Sequence, residues 1–172
     1  MKKQLAVLLP SLVVPAAVGA ADLRVTIEIP RLNVAEYHRP YVAAWIATPD
    51  NAVAANLNVW YDIGMANDEG TTWLKDLRLW WRRSGRSLTL PVDGVSGATR
   101  APGEHALVFK ASDPRIANLA PGEYQLIVEA SREVGGREVV TIPFTWGAGA
   151  IKAEARGEAE LGRIGLETVS TQ

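Results

Sequence analysis

The stretch from Pro121 to Trp146, PGEYQLIVEASREVGGREVVTIPFTW, contains the clearest hairpin in the sequence. Apolar and polar residues alternate over residues 124–130, which is the period-two pattern of a strand with one buried face. The turn signal Pro121-Gly122 precedes that strand, and residues 134–137 (VGGR) turn the chain back into the run at 138–146. The stretch therefore predicts two antiparallel strands joined by a tight turn.

Other segments of the chain carry strand patterns as well. Alternating, apolar or β-branched runs occupy residues 23–29, 41–48, 57–63 and 105–110, and residues 154–167 predict a last strand with one exposed face. About seven short strands with frequent turn signals are typical of an antiparallel sandwich. We therefore predict an all-β fold, an immunoglobulin-like β-sandwich, with an open barrel as the alternative.

One segment, residues 72–83 (TWLKDLRLWWRR), departs from the strand pattern. Thr71 or Thr72 offers an N-cap, and Ser84-Gly85 offers a stop. Its large apolar residues fall on one helical stripe: Trp73, Leu77 and either Trp80 or Trp81. The sequence predicts a short amphipathic helix of about three turns here, with most of its stripe in the core.

The N-terminus has the three parts of a secretory signal peptide. A positive start (MKK) precedes an apolar run over residues 5–18, which is broken by proline and too short to span a bilayer comfortably. Small residues at 18–21 offer a cleavage site. We therefore predict a signal peptide over 1–21, a single β-sandwich domain over 22–168, a tail over 169–172, and a periplasmic location.

Composition excludes several classes of function. The 172 residues include 18 Lys and Arg against 19 Asp and Glu, so nothing attracts nucleic acid. There are no cysteines, and hence no disulfide or thiolate metal site. Only two histidines are present, and no nucleophile elbow, P-loop or dinucleotide fingerprint occurs. Whether the protein is an enzyme stays open; an electron carrier or accessory protein is favoured over a stand-alone enzyme.

A loop at residues 91–103, PVDGVSGATRAPG, needs a further explanation. Turn chemistry accounts for its Asp-Gly and Pro-Gly pairs, but not for Ser96-Gly97-Ala98-Thr99. The string from Asp93 to Thr99 resembles the D-G-x-[S/T]-G-A-[S/T] flavinylation motif. That motif occurs in FMN-binding domains of sodium- or proton-pumping respiratory complexes and of other exported redox proteins.

The resemblance implies that a magnesium-dependent flavin transferase splits FAD and attaches FMN through a phosphoester to the hydroxyl of Thr99. The carried-over cofactor-binding residues are Asp93, Gly94, Ser96, Gly97, Ala98 and Thr99. We expect Arg100 to pair with the phosphodiester and Trp81 to offer the flavin ring a surface. Because the loop itself has neither a base nor a metal, we expect the transferase to supply both.

A longer resemblance covers residues 23–166. The segments YHRPYVAAWI, WLKDLRLWWRR, DGVSGATRAPG, PGEYQLIVEASREVGGREVV and IPFTW are similar to a family of predicted periplasmic proteins, the domain of unknown function number twenty-two seventy-one. The likeness implies association with flavin transferases and membrane-bound redox partners.

Three hypotheses for the function follow. The first is an exported flavoprotein with covalent FMN on Thr99, acting in extracytoplasmic electron transfer. The alternative is a non-enzymatic periplasmic binding or accessory module of a membrane redox system. A hydrolase built on Ser96 and His105 is the least favoured.

Overall fold

A computed structural model describes residues 21–169, in which nine strands form two packed sheets. The strands are β1 Asp22–Ile29, β2 Tyr41–Ala47, β3 Val53–Tyr61, β4 Ser96–Ala98, β5 Gly103–Phe109, β6 Gly122–Ser131, β7 Arg137–Trp146, β8 Lys152–Arg156 and β9 Arg163–Val169. Sheet I has the order β5-β1-β9-β8, and sheet II has the order β4-β3-β2-β6-β7. The predicted β-sandwich is confirmed.

The main core lies between the two sheets. The alternating strand β1 turns its apolar side chains inward, and β6 supplies the facing positions from sheet II. The buried members from these two strands are Leu23, Val25, Ile27, Ile29, Leu126, Val128 and Ala130. The predicted hairpin is confirmed, because β6 and β7 pair antiparallel from Gly122 with Trp146 to Ser131 with Arg137.

A second apolar layer covers the outer face of sheet II. It joins side chains of the sheet to those of the segment that follows β3, namely Trp45, Val59, Tyr61 and Ile127 against Leu74, Leu77 and Trp80. Glu129 on β6 is fully buried and accepts hydrogen bonds from the backbone N–H groups of Leu79 (3.0 Å) and Trp80 (2.7 Å). The covering segment is therefore fixed to the sheet by one carboxylate as well as by packing.

The helix predicted over residues 72–83 is wrong in its extent. A 3₁₀ segment spans Ala66–Asp76, and the helix α1 covers only Arg78–Arg83. The backbone leaves helical geometry at Leu77 (ψ 68°), and this break ends the continuous stripe. Leu77 and Trp80 are buried as expected, whereas Trp73 is 48% exposed. The predicted stop is confirmed, since Ser84 is the C-cap of α1.

The single last strand predicted over residues 154–167 is two strands, β8 and β9, joined by a turn. Gly157 and Gly162 bond across that turn at 3.0 Å, and the Glu138 carboxylate accepts from three backbone N–H groups within it. Alternation continues on both sides of the turn, which explains why the sequence pattern hid it.

A second short helix, α2 Pro114–Ala117, follows β5, and a 3₁₀ turn spans Gly85–Ser87. Within residues 21–169, no helix has the length and apolar character needed to cross a bilayer. The predicted signal peptide and tail lie outside the described residues, apart from Ala21 and Val169.

Candidate functional site

The string from Asp93 to Thr99 is not merely a loop, because its second half is the edge strand β4. This strand pairs parallel with β3, with Ser96 opposite Val59 and Ala98 opposite Tyr61. The Thr99 N–H then donates to the Tyr61 carbonyl at 3.2 Å, which continues the pairing by one residue. Thr99 therefore occupies a fixed position beside the end of β3.

The residues before Thr99 hold the strand in place. Gly94 has a φ of 69°, a left-handed conformation that glycine adopts without strain, and its carbonyl accepts from the Arg115 guanidinium. The Ser96 hydroxyl accepts from the Val92 N–H at 2.9 Å. Gly97 lies against a tryptophan, since a Cβ there would stand 3.4 Å from Cδ1 of Trp60. These small residues allow β4 to approach the sheet closely.

The Thr99 side chain is half-buried and reaches a large cavity. Its hydroxyl donates to Oδ1 of Asp62 at 3.2 Å, and both residues line a cavity of about 810 Å³. Asp62 follows directly after β3 and is itself exposed. The hydroxyl of the predicted attachment residue is therefore not sealed inside the core.

Aromatic and apolar side chains form part of the cavity wall. Tyr37, Tyr41 and Trp73 line it, together with the exposed Met65 and Val134. Burial raises the pKa of Tyr41 to about 12, and its hydroxyl donates to the Gly70 carbonyl at 3.2 Å. A flat aromatic ligand would find packing surface at this wall.

Four arginines also line the cavity, and two of them are neutralised. Arg132 pairs with the buried Glu160 at 2.8 Å, and Arg137 pairs with Glu129 at 2.6 Å. Arg39 and Arg78 pair with no carboxylate among residues 21–169. Two guanidinium groups thus remain available to an anionic ligand.

The remaining predicted site residues lie outside this cavity. Asp93 is exposed, and the Arg100 guanidinium lies 5.5 Å from the ring centroid of Trp60. Trp81 packs on the outer layer of sheet II, with its ring 6.4 Å from that of Trp80. Of the described residues, it is Trp73 rather than Trp81 that lines the cavity with Thr99.

Ser96 and His105 are engaged with other partners. His105 bonds to the Ala101 carbonyl at 2.8 Å through Nε2, and its ring packs edge-on to Trp60 at 5.6 Å. The Ser96 hydroxyl contacts the backbone of Val92. The described part of the chain contains no group of three metal-ligating side chains.

The arrangement defines a β-sandwich domain that presents a threonine hydroxyl at the wall of an aromatic and cationic cavity. A family model described as "Predicted periplasmic protein (DUF2271)" matches residues 22–163, and the chain belongs to this family. No curated protein and no solved structure matches the chain.

Proposed function

We propose that the protein is an exported flavoprotein that carries FMN on the Thr99 hydroxyl and acts in extracytoplasmic electron transfer. The observation that carries the proposal is the position of this hydroxyl. The motif-like string ends at Thr99, the one threonine among residues 21–169 that lines the cavity, and its side chain is only half-buried. A visiting transferase would therefore find the oxygen accessible.

The cavity fits the group that the motif implies. Its volume of about 810 Å³ lies within the roughly 300–1,000 Å³ of small-molecule sites. Trp73 and Tyr41 would give the ring a surface, and Arg39 and Arg78 would attract its negative charges. Arg100, next along the chain from Thr99, would approach the phosphodiester from outside the cavity.

In this proposal the covalent link keeps the cofactor on the protein, and contacts with the cavity wall determine the orientation of the flavin ring. FMN supplies the one- and two-electron chemistry, while the protein supplies binding, orientation and electrostatics. The guanidinium groups of Arg39 and Arg78, which pair with no carboxylate among residues 21–169, would stabilise an anionic form of the bound flavin relative to its neutral form. The partners are a flavin transferase for attachment and a membrane-bound redox protein for electron exchange.

Mass spectrometry of the exported protein tests the proposal. Protein from cells with the transferase should gain the mass of FMN less one water, and protein from cells without it should not. Thr99→Ala should abolish the gain and Thr99→Ser should keep it, because serine retains a hydroxyl. Thr141→Ala, at an exposed threonine on β7, is the matched control and should be modified normally. An unchanged wild-type mass, in cells where the transferase loads a known acceptor, would falsify the proposal.

A second candidate is a binding or accessory module without a cofactor. The exposed apolar side chains of Met65, Trp73 and Val134 at the cavity favour it, because such patches mark interaction sites. A cell that carries Thr99→Ala distinguishes the two candidates. Normal function of the membrane redox system in that cell would favour the accessory module, and loss of function would favour the flavoprotein.

A further inference from the structure

We infer that Asp62 is the base that takes the Thr99 proton during attachment, so that this chain supplies part of its own modification chemistry. The inference rests on the proposed function and deepens it. A threonine hydroxyl becomes a nucleophile only when a nearby group accepts its proton. The one carboxylate in the loop at residues 91–103, that of Asp93, does not line the cavity that Thr99 reaches, but the fold brings another carboxylate to Thr99 from a distant part of the chain.

The contact between the two side chains follows from the sheet register. Because β3 and β4 run parallel, the residues that follow them emerge side by side at the same end of the sheet. Thr99 Oγ1 lies 3.2 Å from Asp62 Oδ1, at the outer limit of the range for a base that is in reach of its proton. Apo contacts of this kind commonly tighten in the reacting complex.

The backbone carbonyl of Asp62 is held by two contacts that do not involve Thr99. Gly70 packs against its carbonyl so closely that a Cβ would stand 2.1 Å from that oxygen. The Met65 N–H donates to the same carbonyl at 3.2 Å. The Asp62 carbonyl is therefore held by two neighbours, while its carboxylate pairs with no cation among residues 21–169 and remains available to the hydroxyl.

The step balances without an oxidant or a reductant. Thr99 Oγ1 forms a bond to the phosphorus on the FMN side of the FAD pyrophosphate. The bond from that phosphorus to the bridging oxygen breaks, and AMP leaves with the bridging oxygen. The hydroxyl proton passes to the Asp62 carboxylate and then to water. An aspartate accepts a hydroxyl proton in the same way when kinases transfer a phosphoryl group. The transferase then needs to supply the metal, but not the base.

Kinetics of attachment with purified transferase, FAD and Mg²⁺ test the inference. Initial rates are measured by intact mass at varied acceptor concentration, which separates kcat from KM for the acceptor protein. Asp62→Asn should lower kcat about 100-fold or more and leave KM within about twofold, since general bases contribute about 10²–10⁴-fold. Added formate should restore part of the rate to Asp62→Ala.

The matched control is Asp50→Asn. Asp50 accepts a hydrogen bond from the hydroxyl of Thr48 at 2.5 Å, so the control removes the charge from an equivalent pair outside the cavity and should leave kcat unchanged. If Asp62→Asn does not fold, the comparison of Asp62→Glu with Asp62→Ala decides: Asp62→Glu keeps a carboxylate and should retain at least about a tenth of the rate, and a rate no higher than that of Asp62→Ala would overturn the role of Asp62.

The possible failures are distinguishable. An Asp62→Asn protein that is loaded at the wild-type rate, or that changes only in KM, overturns the role of Asp62 and leaves the flavoprotein proposal standing. A wild-type protein that stays unloaded, while another acceptor is loaded in the same reaction, overturns both.

Discussion

Replacing Gly70 by Ala should destabilise the domain and displace Asp62. The new Cβ would stand 2.1 Å from the Asp62 carbonyl oxygen and 2.8 Å from its carbonyl carbon. A carbon and an oxygen ordinarily come no closer than about 3.3 Å, so the two backbones would have to separate by about 1.2 Å. Overpacking of this kind costs about 1–3 kcal/mol, and we expect about 3 kcal/mol because backbone rather than a flexible side chain must move. For a domain of this size, that loss lowers Tm by about 6–12 °C.

Gly64→Ala is the matched control for this substitution. A Cβ at Gly64 meets nothing within 4 Å, so the change should be neutral or slightly stabilising through the unfolded state. Thermal and urea unfolding of both variants measure the difference. A Gly70→Ala protein whose free energy of unfolding lies within about 0.5 kcal/mol of the control would refute the close packing that fixes Asp62.

Two further predictions concern buried groups. Glu129→Gln should lower the free energy of unfolding by about 2–4 kcal/mol, because it loses one charge-assisted bond to α1 and the pair with Arg137. Glu167→Gln breaks only an exposed pair and should change it by less than about 0.5 kcal/mol; equal losses in urea melts would contradict this account. Because burial raises the pKa of Tyr41 to about 12, against about 10 when unfolded, the folded chain keeps a proton that the unfolded chain releases. Stability should therefore fall as pH rises from about 10 towards 12, and an alkaline phenolate titration should lose its latest step in Tyr41→Phe.

Much of the sandwich could be predicted from local patterns. The alternation in β1 indicates which of its side chains are buried, and the glycines between β6 and β7 indicate where the chain reverses direction. Both predictions were confirmed. The structure of residues 66–83 was harder to predict from the sequence. The apolar stripe suggests one continuous helix, but the backbone breaks at Leu77, and the residues on both sides of the break pack on sheet II. Tertiary packing overrode propensity there.

The resemblance of the string Asp93–Thr99 to a flavinylation motif could be recognised from the sequence, but the surroundings of the string could not. The match at Asp93–Thr99 is contiguous, so a short motif is enough to locate it. Asp62, Arg39, Arg78 and Trp73 come to the same cavity from separate elements, and no spacing in the chain indicates that they meet. The expectation for Trp81 depended on nearness in sequence, whereas Trp73, in the 3₁₀ segment before α1, is the tryptophan that lines the cavity among residues 21–169.

The parallel pairing of β4 with β3 has a consequence for the timing of maturation. Asp62 and Thr99 are 37 positions apart and meet only when the intervening chain has folded onto the sheet. A precursor that passes unfolded through a translocation channel contains residues 93–99, but its Asp62 and Thr99 are not yet in contact. If FMN is attached to Thr99 and Asp62 is the base, loading would follow secretion and folding, and misfolded copies would be loaded about 100-fold more slowly or worse. Cofactor attachment would then act as a quality check on the finished domain.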